Sequence, residues 1–272
     1  MNVYASDLNT YTFCPRAIYL SRVLQIKPQP SEELLRGVFE HSFRKELSIR
    51  QPRILKRISK TSEIRDNIKR EIDSIIDDFP FIYRSIISKT NYDCRKFLKE
   101  IKEEMKNEID IISENIESMI KENGIEETLR KITPWKTEYI IKSNALGISG
   151  RIDKIMKENN TYIPIEIKTG KSPESPTTAW RGDKLQVCAY AMLLEEKLNP
   201  KNSINYCFVE YTKSYKKCPV IVTERLRREV IDTRNKIISI INGRISDIPN
   251  NENGKKCENC LYQRQCYEIK YA

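Results

Sequence analysis

The 272-residue chain is basic, with 48 lysines and arginines against 38 aspartates and glutamates and a formal net charge of +10. It contains no apolar run long enough for a transmembrane helix and no N-terminal signal-peptide pattern, so we expect a cytoplasmic protein. The length fits one large domain or one domain with an insertion, and the positive charge favours a polyanionic partner such as nucleic acid.

Near the N-terminus, the sequence predicts a helix over residues 31–49. Gly37 and His41 lie four positions apart and therefore share one face of that helix. A glycine inside a helix costs up to about 1 kcal/mol relative to alanine, so we expect another backbone to approach closely at Gly37. His41 is the only histidine in the chain. By itself, a lone helical histidine is more often a surface or core residue than a metal ligand.

Residues 50–131 form a highly charged section in which apolar side chains recur every three to four positions. That period is typical of amphipathic helices, and Pro80 and Asn123-Gly124 are expected to end two of them. We interpret the section as a helical insertion that packs on the following sheet. It is either a structural helical pair or a lid that guides DNA. The repeating residues are Ile64, Ile68, Ile72, Ile75 and Phe79, and then Ile101, Met105, Ile109, Ile112, Ile116 and Met119.

The second half of the chain mixes strands with helices, which predicts an α/β (α+β mixed) fold. The best helical pattern covers residues 183–197 and places Gln186 and Tyr190 one turn apart on one face. A second helix, at 224–242, is basic, and its arginines suit phosphate contacts, although a solvated face is the default interpretation. The predicted strands are residues 135–141, 147–156, 162–169, 204–211 and 219–223, and the first three form an antiparallel meander.

Two of these strands carry a pattern that indicates chemistry. In the third strand, three isoleucines alternate with Glu166 and Lys168, so the two charged side chains project from the same face. Asp153 lies on the preceding strand. Two carboxylates and a lysine that meet on a sheet could seat a divalent cation and an activated water. The alternative is a half-buried strand with solvated charges on its outer face.

Cysteines cluster at the C-terminus, where Cys257, Cys260 and Cys266 lie within ten residues, and Cys14 near the N-terminus is the natural fourth member. Four cysteines can hold either a zinc ion or a [4Fe–4S] cluster, and the spacing does not separate the two. Either metal would tie the first segment to the last. The other four cysteines are expected to be ordinary core or surface residues.

The ordered motifs resemble the RecB-like branch of the PD-(D/E)xK nucleases, and with the cysteines they are similar to the CRISPR-associated exonuclease family called Cas four. The resemblance extends over nearly the whole chain. It rests on Cys14-Pro-Arg, Gly37-x-x-x-His41, Asp153, Glu166-x-Lys168, Gln186-x-x-x-Tyr190 and the cysteine trio Cys257, Cys260 and Cys266.

This resemblance implies a restriction-endonuclease-like core, with a central mixed sheet flanked by helices, a helical insertion and a C-terminal cysteine cluster region. Residues 1–272 would form a single nuclease domain. Within it, residues 31–49 plus 132–244 would be the nuclease core, residues 50–131 the helical insertion, and residues 1–30 with 245–272 the iron–sulfur region.

The resemblance also implies roles for individual residues. His41, Asp153, Glu166 and the carbonyl of Ile167 would bind Mg²⁺ or Mn²⁺, and Lys168 would orient the attacking water and help to deprotonate it. Gln186 and Tyr190 would pack beside the site and contact the DNA strand or Lys168. The family's cluster is of the [4Fe–4S] type, here on Cys14, Cys257, Cys260 and Cys266.

The expected activity is therefore metal-dependent exonuclease cleavage of single-stranded DNA or DNA ends in CRISPR spacer acquisition, with other adaptation proteins as candidate partners. One alternative is the same chemistry in repair or recombination beside a helicase. Another, from a different class, is a non-catalytic, metal-stabilised nucleic-acid-binding module.

Overall fold

The structure, a computed structural model, describes residues 2–28, 31–58, 60–90, 92–158, 160–175, 177–198, 203–244, 254–258 and 260–270. The strands are β1 (Val3–Tyr4), β2 (Lys136–Ser143), β3 (Ile148–Glu158), β4 (Thr161–Lys168), β5 (Tyr206–Tyr211) and β6 (Lys216–Ile221). The helices are α1 (Ala5–Phe13), α2 (Pro15–Ile18), α3 (Glu32–Lys56), α4 (Ile64–Ile82), α5 (Arg84–Ile87), α6 (Cys94–Asn123), α7 (Ile125–Ile132), α8 (Arg181–Leu198), α9 (Glu224–Ile241), α10 (Gly254–Glu258) and α11 (Gln263–Lys270).

The six described strands form one mixed sheet, as predicted. The predicted meander is confirmed, because β2 pairs antiparallel with β3 and β3 pairs antiparallel with β4. β5 then pairs parallel with β4, and α8 supplies the crossover connection that a parallel pair requires. The short strand β1, which the sequence did not predict, pairs parallel with the start of β3. The N-terminal segment therefore contributes to the central sheet.

Helices cover the sheet around α8, which is buried along most of its length. The main core joins residues of β3, β5 and β6 to α1, α8 and α9. Gly150 on β3 allows α8 to approach the sheet closely, because a Cβ there would lie 2.7 Å from Cε1 of Tyr190 on α8. None of the helices in the described part of the chain combines the length and hydrophobicity needed to span a bilayer.

A second core lies in the helical section, where the periodic apolar side chains of α4 and α6 pack together. Its helices match the predicted pattern, and α6 ends at Asn123 before Gly124, which has a φ of 78°. The predicted break at Pro80 is wrong, because α4 continues to Ile82. Since Pro80 lies in the last turn, it removes only one hydrogen bond from the helix.

The helix predicted over residues 31–49 is longer than expected, because α3 continues to Lys56. Phe39 and Phe43 are fully buried in the second core, so α3 belongs to both the predicted nuclease core and the helical section. The close backbone approach expected at Gly37 is also wrong. A Cβ placed there would meet no atom within 4 Å, since the position opens into a cleft.

The remaining predicted strand ends are shifted by a few residues. The largest shift is at β6, predicted over 219–223 but observed at Lys216–Ile221, with Pro219 inside the strand. Proline is tolerated there because β6 is an edge strand of the sheet. The predicted iron–sulfur region 245–272 is described only at 254–258 and 260–270. The partition of the chain into regions stays a prediction.

Candidate active site

Asp153 of β3 and Glu166 of β4 occupy neighbouring strands and are both buried, with exposed fractions of 7% and 6%. The side chain of Asp153 accepts a hydrogen bond from the Ile167 amide, with 2.7 Å between Oδ2 and the nitrogen. The alternative of a half-buried strand with solvated charges is therefore wrong at Glu166. The alternation is correct, but α8 covers the face on which these charged residues lie.

Lys168 lies in the same cluster, and its ammonium has three polar neighbours. Its Nζ lies 2.9 Å from Oε1 of Glu166, 2.8 Å from Oε1 of Gln186 and 3.4 Å from Oδ1 of Asp183. Burial lowers the pKa of Lys168, but attraction to Glu166 and Asp183 outweighs it, so the pKa is raised overall. In this arrangement Lys168 is a protonated hydrogen-bond donor.

Gln186 and Tyr190 of α8 meet the cluster from above β4. The amide Nε2 of Gln186 donates to Oε1 of Glu166 at 2.7 Å and to the hydroxyl of Tyr190 at 3.0 Å. Since Gln186 also accepts from Lys168, one side chain fixes both charged residues of the strand. Burial and the charge of Glu166 raise the pKa of Tyr190, so its hydroxyl stays neutral. Their one-turn spacing had predicted a shared face, and the structure shows it.

His41 of α3 reaches the site from the other side, where its Nε2 lies 3.6 Å from Oδ1 of Asp153. Together with Glu138 of β2, these two residues offer one ligand atom each, all within 4.8 Å of one another. Imidazole and carboxylate are suitable ligands for Mn²⁺. The predicted ligand Glu166 is not a member of this group of three, and the ligand role of the Ile167 carbonyl stays a prediction.

The charges at this site fit a bound cation. Burial raises the pKa of Asp153 well above its usual value, and the negative charges of Glu166 and Glu138 raise it further, against a lowering by the Ile167 amide. The other carboxylate oxygen of Glu166, Oε2, is buried without a hydrogen-bond partner among the described residues. A buried carboxylate oxygen without a partner, or a crowding of buried carboxylates, is costly unless a metal ion or proton compensates it. A divalent cation would relieve both conditions.

Sequence reasoning missed Glu138 and Asp183. Glu138 lies opposite Asp153 between the paired positions of β2 and β3, and its backbone has a φ of 52°, an unusual value for a non-glycine residue. Asp183 is buried and lies three residues before Gln186 on α8, so helical spacing alone could have placed it on the same face. No spacing in the sequence pointed to Glu138, because its position opposite Asp153 follows only from the register of β2 and β3.

The site lies at the side of a cleft of about 1730 Å³. The cleft is bordered by α3 and α6 on one side and by the end of β4 and the segments after it on the other. His41, Glu166 and Lys168 all line it. His41, Glu166 and Lys168 therefore face a space large enough for an extended ligand, and Asp153 lines a second pocket that shares His41 and Glu166 with the cleft.

Of the four predicted cluster cysteines, Cys260 lies within electrostatic range of the other three. Burial raises the pKa of the Cys260 thiol, a backbone hydrogen bond from Tyr262 lowers it, and the charges of Cys14, Cys266 and Cys257 raise it. Such electrostatic effects require proximity, so the first and last segments of the chain do meet here. Lys256 adds a further contact, with its ammonium 5.7 Å from the ring centroid of Phe13.

These features can be compared with those of known protein families. The sequence model of the PD-(D/E)XK nuclease superfamily matches residues 4–267, which is nearly the whole chain. The chain belongs to the PD-(D/E)XK nuclease superfamily. The family name describes an aspartate on one strand followed by an acidic residue, any residue and a lysine. In this PD-(D/E)XK protein, Asp153 and Glu166-x-Lys168 have that arrangement and meet at one site.

Individual relatives match a smaller part of the chain. A CRISPR-associated exonuclease Cas4/endonuclease Cas1 fusion from Leptospira interrogans is 32% identical over 128 residues, which cover 46% of this chain and 23% of the relative. A CRISPR-associated exonuclease Cas4 from Rhodospirillum rubrum is 29% identical over 138 residues, covering 48% of this chain and 39% of the relative. The aligned parts are thus less than half of either relative. The solved structure of SSO0001 matches 63% of this chain and 78% of its own, at 20% identity and a TM-score of 0.31.

Proposed function

We propose that this PD-(D/E)XK protein is a metal-dependent exonuclease that cleaves single-stranded DNA or DNA ends. The observation that carries the proposal is the convergence of Asp153, Glu166 and Lys168 at the side of a large cleft. A purely structural role would not need two buried carboxylates among side chains that can bind a metal, because buried carboxylates reduce stability. Metal-dependent phosphodiester hydrolysis does need them, because carboxylates hold the cation that stabilises the negative charge developing on the phosphate oxygens.

The residues present fit Mg²⁺ or Mn²⁺. His41, Glu138 and Asp153 would hold the ion, with Glu166 and the carbonyl of Ile167 as further ligands in the proposal. When bound, the ion supplies Lewis-acid polarisation of the scissile phosphate and lowers the pKa of a coordinated water. The fit rests on the buried, partner-less Oε2 of Glu166 and on the crowding of negative charge around Asp153.

The chain's own groups have separate tasks. Lys168 stays protonated between Glu166 and Asp183 and is positioned to donate to the attacking water or to a phosphate oxygen. Gln186 holds Glu166 and Lys168 in fixed orientations through two hydrogen bonds, which leaves little side-chain entropy to lose in the reaction. Lys168 can take a proton from the water only after losing its own. Neutralisation of one of its acidic neighbours would be required for that, because their charges raise its pKa.

The test is digestion of 5′- and 3′-labelled single strands with Mn²⁺ or Mg²⁺. Glu166→Gln keeps the shape of the side chain and should lower the cleavage rate by at least about 100-fold. Glu196→Gln, on the exposed face of α8, is the matched control and should cleave like the wild type. A wild-type chain that binds DNA but cleaves none with either metal would indicate the non-catalytic binding module instead. Equal rates for Glu166→Gln and the wild type would also overturn the proposed site.

We further propose that the exonuclease acts in CRISPR spacer acquisition. The relatives named as Cas4 exonucleases and as Cas4/Cas1 fusions support this role, because a fusion indicates that the two activities work together in those proteins. Association of the purified chain with a Cas1-type protein tests it. Failure to associate, together with binding to a helicase, would favour the repair alternative.

The last part of the proposal is a [4Fe–4S] cluster on Cys14, Cys257, Cys260 and Cys266. The effect of Cys14, Cys257 and Cys266 on the pKa of Cys260 supports a common site for the four thiols. The cluster would be structural, since it would connect α1 and α2 to the C-terminal segment on one side of the cleft. Iron and sulfide analysis of protein purified without oxygen separates this cluster from zinc.

A further inference from the structure

Trp180 is an exposed aromatic residue that the fold nevertheless holds in place. Its exposed fraction is 52%, yet its ring N–H donates to the carbonyl of Lys171 at 2.8 Å. Its backbone N–H donates to the hydroxyl of Tyr211 at 3.0 Å. An indole that serves only to fill a core would be buried. This one is fixed at two points and leaves apolar ring surface open to solvent.

The second anchor connects Trp180 to the candidate active site. The hydroxyl of Tyr211 donates to Oδ2 of Asp183 at 2.6 Å, and Oδ1 of Asp183 lies 3.4 Å from Nζ of Lys168. Tyr211 and Asp183 are both buried, so the hydrogen bond between them is shielded from water. The position of the indole is therefore coupled to the position of the active-site lysine by two intervening side chains.

Trp180 also lines the cleft that contains His41, Glu166 and Lys168. Near it, Lys171 and Lys213 are exposed and form no ion pair with a described residue, so their charges are available to a ligand. Tyr215, 47% exposed, lines the same cleft.

The opposite wall differs. There, Arg36 of α3 is shared by Glu40 of the same helix and by Glu100 and Glu104 of α6, so carboxylates outnumber the guanidinium in this group and it is acidic. One wall of the cleft thus combines uncompensated lysines with open aromatic rings. Gly37 on α3 leaves free space facing that wall, since no atom lies within 4 Å of a Cβ placed there.

Aromatic rings beside cationic side chains in one cleft fit one class of ligand, a single strand of nucleic acid. Unpaired bases stack on aromatic side chains, and lysines neutralise the phosphates between them. Bases in a duplex are already stacked on each other and cannot offer a face to an indole.

We propose that the exposed face of Trp180 stacks on an unpaired base of the substrate strand and places the next phosphates at the Asp153–Glu166–Lys168 site. The proposal deepens the proposed nuclease function and rests on it for the identity of the ligand. Lys171 and Lys213 contact the strand's backbone. Trp180 is in this role a binding and positioning residue, because it does not touch the reacting atoms. It makes the cleft select single strands over duplexes.

The first measurement is tryptophan fluorescence in EDTA, where no cleavage takes place. The chain has two tryptophans, and Trp135 is the internal control because it packs against Tyr162 with a ring-centroid distance of 4.7 Å. In Trp135→Phe the remaining indole should be quenched by oligo(dT) and not by a duplex of equal length. In Trp180→Phe, the signal from Trp135 should not change with either DNA. If Trp135→Phe does not fold, the difference between the fluorescence of the wild type and that of Trp180→Phe gives the same information.

The second measurement is the affinity for a labelled single strand, again in EDTA. Loss of one stacked base weakens binding by about 5- to 150-fold, so Trp180→Ala should raise the Kd by such a factor. Trp180→Phe, which keeps a stacking ring, should remain within about threefold of the wild type. Phe81→Ala removes an exposed aromatic that does not line this cleft and should leave the Kd unchanged. For cleavage with Mn²⁺, Trp180→Ala should raise KM and leave kcat close to the wild-type value.

Unquenched fluorescence together with an unchanged Kd for Trp180→Ala would overturn the stacking proposal. That result is distinguishable from a failure of the proposed function, because binding is measured without metal and cleavage with it. If the wild type cleaves DNA and Trp180→Ala cleaves with the same KM, stacking is wrong and the nuclease stands. If the wild type binds and is quenched without cleaving, the nuclease is wrong and the stacking site stands.

Discussion

Replacement of Asp153 by asparagine should separate the metal-binding role of this residue from its structural one. The candidate ligands His41, Glu138 and Asp153 come from α3, β2 and β3, so only the folded chain brings them together. The introduced asparagine can still accept the hydrogen bond from the Ile167 amide, because its amide oxygen can occupy the place of the carboxylate oxygen. The substitution therefore removes a charge and a metal ligand with little change in shape.

The expected magnitude follows from linkage. A ligand that binds only the folded state stabilises it by RT ln(1 + [L]/Kd), about 2.7 kcal/mol when the metal is present at 100 times its Kd. For a chain of this size 1 kcal/mol corresponds to about 2–4 °C in Tm, so Mn²⁺ should raise the Tm of the wild type by about 5–10 °C. In Asp153→Asn most of that shift should be lost.

Without metal, Asp153→Asn should not lower the stability of the folded protein and should instead raise it at high pH. Burial and the charge of Glu166 raise the pKa of Asp153 in the folded state above its value of 3.8 in the unfolded chain. The folded state therefore binds the proton more tightly, and its stability falls as the pH rises from about 4 through the folded-state pKa. Asp153→Asn lacks this loss. At pH 8 in EDTA the variant should be at least as stable as the wild type, and its advantage should shrink at pH 4.

Thermal unfolding at pH 8 and pH 4, with EDTA or Mn²⁺, measures all these differences. Asp232→Asn, on the exposed face of α9, is the matched control and should keep the full shift with Mn²⁺. An equal Mn²⁺ shift in Asp153→Asn and the wild type would refute the assignment of Asp153 as a ligand. A variant markedly less stable than the wild type in EDTA at pH 8 would refute the view that the ionised carboxylate destabilises the fold.

Two further predictions concern cysteines. Cys14→Ser should lose iron and sulfide after purification without oxygen, whereas Cys94→Ser should retain them; equal iron in both would argue against Cys14 as a ligand. Cys188 should resist alkylation in the folded protein, because burial raises the pKa of its thiol to about 12, so at pH 8 only about one molecule in ten thousand carries the thiolate. Iodoacetamide labelling with mass spectrometry should detect its modification only in denaturant, and rapid labelling of the folded chain would contradict this.

The sequence predicted the elements whose side chains repeat with a clear period. The helices of the helical section and the β2–β3–β4 meander were recognised because apolar residues recur at 3.6 or at two positions. Helix ends were less predictable at prolines. Pro80 was expected to end a helix, but the structure tolerates it in the last turn of α4. Strand β1 has only two residues, too few for any period to appear.

For the candidate site, the sequence was sufficient to assign side chains to a shared face where they lie on one strand or one helix with a clear period. Glu166 and Lys168 are two apart on a strand, and Gln186 and Tyr190 are four apart on a helix, so each pair could be assigned to one face. Glu138 could not be identified, because its position opposite Asp153 depends on strand register and on an unusual backbone conformation. Such information lies in the pairing of distant segments and not in the spacing of residues.

Helix α3 explains why the helical section and the active site should be considered together. Phe39 and Phe43, one turn apart, are fully buried in the core of the helical section, while His41 between them reaches Asp153 on the sheet. Arg36 on the same helix pairs with Glu100 and Glu104 of α6. The position of the histidine is thus set by packing on one side and by ion pairs to α6, not by its contact with Asp153 alone. A section that looks like an insertion in the sequence therefore supports one of the candidate ligands and forms one wall of the cleft.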